Sequence, residues 1–170
     1  MHAQLEELLA ILDQELASYR LLYDLLGQGQ RLILECRAEE LGQQTTIQEE
    51  LLASLRLLDR ERTTRVDDLG ERLGLPPEER TTTGLAAYMA PAYGERMLAV
   101  ARALVPLLEK INHLNAENAF HLQHSCEYLE LSLHMIASAR APKNPQLYGR
   151  KGMVDAYGRG PATVSVNRTA

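Results

Sequence analysis

The chain has 170 residues, 45% of them hydrophobic, a formal net charge of −5, no Trp, one Phe and two Cys. That length allows one domain whose elements pack over much of their length, and a composition rich in Leu, Ala, Glu, Gln and Arg but sparse in β-branched residues points to an all-α fold. Cys36 and Cys126 form no CxxC pair, which excludes a disulfide framework or a zinc-ligand set; without a secretory start or a membrane-length apolar run, the expected compartment is the cytoplasm, with no membrane insertion and no nucleic acid partner.

The first segment places apolar or aromatic residues at Leu5, Leu9, Leu12, Leu16, Tyr19, Tyr23, Leu26 and Ile33. This four-three spacing keeps one seam of a helix facing a partner, and it predicts a helix over about 2–35. Gly27 and Gly29 fall inside it and weaken it by about 1 kcal/mol each relative to Ala. A second helix, expected over about 38–73, presents Ile47, Leu51, Leu55, Leu58, Val66, Leu69 and Leu73. The turn between the two is poorly marked and is placed near Cys36 to Ala38.

"LGLPPEERTTTG" (73–84) is a clear break, because Gly74 suits a helix end and Pro76-Pro77 cannot continue one. "LAAYMAP" has the makings of a short helical turn before Pro91. A third long helix over about 92–140 would span ~70 Å, with a kink expected at Pro106. Beyond it the periodicity stops. Residues 141–170 carry Lys143, Arg150, Lys151, Arg159 and Arg168 against Asp155 alone, a net +4 that leaves −9 for the rest. The expected organisation is a helical domain over 1–140 and a flexible basic tail over 141–170. The first two helices should form an elongated antiparallel hairpin with the third long helix packed on it, a coiled-coil-like three-helix bundle.

His113, Glu117, His121 and His124 share part of one helical face. Di-iron bundles need Glu-x-x-His on two helices, whereas here Glu117 and His121 are four apart and neither of the first two helices carries the motif. No phosphate loop, nucleophile elbow or HExxH occurs. The chain therefore reads as a binding protein and not an enzyme, with no cofactor and no metal.

The third helix holds an oddity. Steps of four and three from Met97 reach Ala101, Leu104, Leu108 and Ile111, then two amides, Asn115 and Asn118, before Leu122, Leu129 and Ile136. An amide at a core position costs stability unless partnered, and its best-attested use is to fix register. Two readings stay open: a register-fixing layer inside this protein, or a polar notch that a partner helix fills.

"LNAEN" (114–118) followed by "PQLYGRKG" (145–152), with "QEELLASL" in the second helix, resembles the FlgN family of flagellar export chaperones. The resemblance implies a cytoplasmic type III export chaperone that binds the C-terminal helical regions of the hook-filament junction (hook-associated) proteins. It would prevent their premature assembly and deliver them to the cytoplasmic domain of the export gate. Leu104, Leu108, Ile111, Asn115, Asn118, Leu122, Leu129 and Ile136 become the expected client-binding residues. Leu147, Tyr148 and Gly149 become the expected gate-docking residues. Which junction protein is the client, and whether the client-free protein is a homodimer, stay open. A structural coiled-coil adaptor unrelated to flagella is the alternative.

Overall fold

A computed structural model describes residues 2–140, with side chains as far as 138. Among them the chain forms helix α1 (His2–Leu34), helix α2 (Ala38–Arg72), a single 3-10 turn (Pro77–Glu79), the short helix α3 (Thr82–Tyr88) and helix α4 (Pro91–Arg140). The described chain is all-α, as the composition requires. It divides into two compact units, Met1–Glu127 and Tyr128–Ala170.

Helices α1 and α2 each end for a local reason. After α2, Gly74 takes φ +71°, the Leu75 N–H donates to the Gly70 carbonyl (2.9 Å) and the Gly74 N–H to the Glu71 carbonyl (3.0 Å). These paired bonds satisfy carbonyls that the helix leaves without partners. The same motif closes α1, where Arg37 N–H reaches the Leu32 carbonyl at 2.9 Å and Cys36 N–H the Ile33 carbonyl at 3.1 Å. There the left-handed position is filled by Cys36 at φ 56°. Helix α3 begins where the Thr81 hydroxyl accepts the Gly84 N–H at 3.0 Å, an N-cap bond.

Cross-helix polar contacts set the register. Arg72 donates to Gln4 (2.8 Å), Arg65 pairs with Glu7 (3.0 Å), Arg62 with Glu15 (3.1 Å), and Gln44 donates to the Leu25 carbonyl (2.7 Å), so α2 runs antiparallel to α1. Tyr93 donates to Glu6 (3.0 Å), Arg96 pairs with Asp13 (3.2 Å) and Asn118 donates to the Leu26 carbonyl (2.9 Å), so α4 runs parallel to α1. Helix α4 continues through Pro106.

The core is built in two clusters. The larger gathers Leu5, Leu8, Leu9 and Leu12 of α1, Val66 and Leu69 of α2, Leu75, Leu85 and Ala86, and Met97 and Val100 of α4. The smaller joins Leu22, Leu26, Leu55 and Ile111, flanked by Tyr19, Leu51, Leu107 and Leu114. Between them Glu15, with 4% of its side chain exposed, pairs with Arg62, which also holds Asp59. Burial pushes the Glu15 carboxyl above the ordinary glutamate range, against the pull of Arg62.

Two seams differ from the sequence expectation. Helix α1 faces two neighbours, so Leu8, Leu22 and Leu25 are buried beside the expected residues, while Tyr23 is exposed. In α2 the seam begins with the buried Gln44, and Ile47 is 52% exposed.

Candidate functional site

The eight residues expected on one stripe of α4 divide three ways. Ile111 and Asn118 are buried, Leu104 and Leu108 are half-buried, and Asn115, Leu122, Leu129 and Ile136 are exposed. The expectation of two amides in the core is thus corrected for Asn115. From Ile111 a four-three seam can step to 114 or to 115 and reach 118 either way. The structure takes Leu114, which packs against the cluster of Leu22, Leu26, Leu55 and Ile111, and turns Asn115 to solvent.

Asn118 donates from Nδ2 to the Leu26 carbonyl, and its Oδ1 is buried with no hydrogen-bond partner. From α2, Gln44 donates from Nε2 to the Leu25 carbonyl and likewise leaves Oε1 without a partner. Two helices therefore grip consecutive carbonyls of the third, and the internal polar layer is built from Asn118 and Gln44. Gln44 escaped the sequence reading because only the apolar neighbour Ile47 fitted the expected stripe.

Within the second unit, Tyr128, Leu129, Leu131, Leu133, Met135 and Ile136 are all between 51% and 72% exposed. At about 100° per residue, Tyr128, Leu131 and Met135 form one strip, and Leu129, Leu133 and Ile136 form another. The two strips flank Ser132 and together span roughly 200°, wider than the ~100° stripe a helix needs to rest on one neighbour. The sequence reading found only Leu129 and Ile136 of these six. The signal for the others was present, because 128, 131 and 135 are themselves spaced by three and four.

On the first unit, Phe120 is 57% exposed and meets the ring of His124 edge-on at a centroid distance of 4.2 Å. His124 Nδ1 lies 3.1 Å from Glu127, whose carboxyl is held below the ordinary range by hydrogen bonds from Gln123 and His124. His113 stands 3.8 Å from Glu117. Among the described residues no group of three His, Cys, Asp or Glu could hold a metal ion, and no helix is long and apolar enough to cross a membrane. A groove of about 500 Å³ between α1 and α2 is lined by Leu25, Leu32, Gln44 and Ile47 among others, with no nucleophile and base paired in it. Leu147, Tyr148 and Gly149 lie outside the described residues.

The family model described as FlgN protein matches residues 1–156. No curated protein and no solved structure matches the sequence. The chain belongs to the FlgN family and is accordingly a flagellar export chaperone.

Proposed function

We propose that this FlgN-family chaperone works in the cytoplasm, where it binds the C-terminal helical region of a hook-filament junction protein, prevents its premature assembly and hands it to the export gate. The observation that carries the reading is the pair of apolar strips within Tyr128–Ile136, whose six side chains are all exposed. An exposed apolar patch of this kind marks an interaction site, and an amphipathic client helix is its natural complement. Leu129 and Ile136 of the expected client residues lie in that arc, and Tyr128, Leu131, Leu133 and Met135 join them. Leu122 is exposed on the first unit and remains a candidate contact in its own right. Ile111 and Asn118 are occupied by α1 and serve the bundle. The coiled-coil adaptor alternative is not favoured, since the family match spans most of the chain.

Replacing Leu129 and Ile136 together with Asp should leave helicity unchanged, because both are exposed, and should weaken client binding by roughly 3 kcal/mol, the scale of lost hot-spot contacts. Calorimetry with purified junction proteins measures it. Unchanged affinity in a helical, monodisperse variant would place the client elsewhere.

A further inference from the structure

In the first unit, one seam of α4 serves two neighbours at once. Ile111 is buried in a single cluster with Leu22 and Leu26 of α1 and Leu55 of α2. The seam runs by three-four steps through Ile111, Leu114, Asn118, His121 and Ser125, every one of them buried or half-buried. One heptad after Ser125 the same spacing reaches Ser132, which is half-buried in the second unit. Tyr128, Leu131 and Met135 stand on one side of Ser132, and Leu129, Leu133 and Ile136 on the other, all exposed. A small central residue with large apolar flanks on both sides is what a helix presents to a pair of neighbours, since each flank packs against a different helix.

A single client helix does not satisfy this face. It needs a stripe of only ~100°, so on either strip it leaves the three large side chains of the other in water. No charge interrupts the arc. At about 100° per residue, Glu130 and His134 both fall about 160° from Ser132, on the opposite side of the helix. We propose that the client is held as two helical segments side by side, one on Tyr128, Leu131 and Met135 and the other on Leu129, Leu133 and Ile136. The proposal rests on the client reading given above, and it continues in the complex the one-against-two packing that α4 already has with α1 and α2.

Hydrogen exchange on a purified hook-filament junction protein, mixed with the full chain at saturating concentration, tests this. With wild type, two separate helical segments of the junction protein should gain protection. Leu131→Ala with Met135→Ala should lose the protection of one segment, and Leu129→Ala with Leu133→Ala that of the other, each pair weakening affinity by roughly ten-fold. All four positions are exposed and alanine favours helix, so both variants should stay helical. A single protected segment in the wild-type complex overturns the proposal; if native mass measurement then finds two chaperone chains per client, a second copy covers the other strip. Loss of the same segment in both variants overturns it too. These outcomes leave the client reading standing, whereas a wild type that captures no junction protein removes that reading and this proposal together.

Discussion

Asn118 and Asn115 differ by three positions and by their whole environment. Leucine at 118 removes a buried oxygen that lacks a donor, while the Leu26 carbonyl keeps the bond of its own helix. Asn118→Leu should therefore raise stability by about 1 kcal/mol, and Asn115→Leu, on the exposed side, should stay within about 0.5 kcal/mol of wild type. Urea titration of the two single variants separates them; equal shifts would show that both amides share the core. Glu15 makes a prediction of opposite kind. Its carboxyl is held above its unfolded value, chiefly by burial, so it binds more protons folded than unfolded within that window. Its contribution to stability is full below the unfolded pKa and is lost as pH rises through the folded one. Wild type should thus lose stability relative to Glu15→Gln as pH rises from the ordinary glutamate range through the raised folded pKa. Urea midpoints across that range check the slope, and a gain with rising pH would mean that Arg62 outweighs burial.

At the scale of the element, Cys36 shows why the turn between α1 and α2 was hard to see in the sequence. Chain reversal there uses the same bonded motif as the end of α2, but with cysteine in the left-handed position that glycine usually marks. Gly74 announced its helix end and Cys36 did not. A non-glycine residue in that conformation costs of order 1 kcal/mol, so Cys36→Gly should stabilise the protein by roughly 0.5–1 kcal/mol by thermal melting. A drop in melting temperature would mean that the thiol makes up the strain. Gly94 gives the converse. A Cβ there would come within 2.5 Å of the Ala86 carbonyl oxygen, so α3 can lie against α4 only over a glycine. Gly94→Ala should cost about 1–3 kcal/mol despite alanine's better helix propensity, whereas Gly27→Ala should not. The long helices were legible because their apolar spacing repeats over many turns. The exact seam of α4 was not, because Leu114 and Asn115 both satisfy a four-three step and only the position of α1 decides between them.

At the scale of the whole molecule, the function proposed above divides into two separable tasks, capture and delivery of a client. Leu129 and Ile136 were legible in the sequence as members of a stripe that outlasts the core, but the width of their arc needed the exposure of the neighbouring strip. Residues 141–170 contribute a different kind of surface, basic and Gly-containing, with Tyr148 and Leu147 as its closely spaced aromatic and aliphatic pair. An aromatic ring supplies a large contact area for few frozen torsions, which makes Tyr148 the best anchor for gate docking under the function proposed above. The apolar arc of α4 precedes this segment and does not include it. Tyr148→Ala should accordingly leave client affinity within about 1 kcal/mol of wild type and weaken binding to the gate's cytoplasmic domain by roughly 2 kcal/mol or more. Calorimetry of the same variant against client and gate domain tests both halves. Equal losses at the two partners would assign Tyr148 to the client surface, and capture and delivery would then share one site.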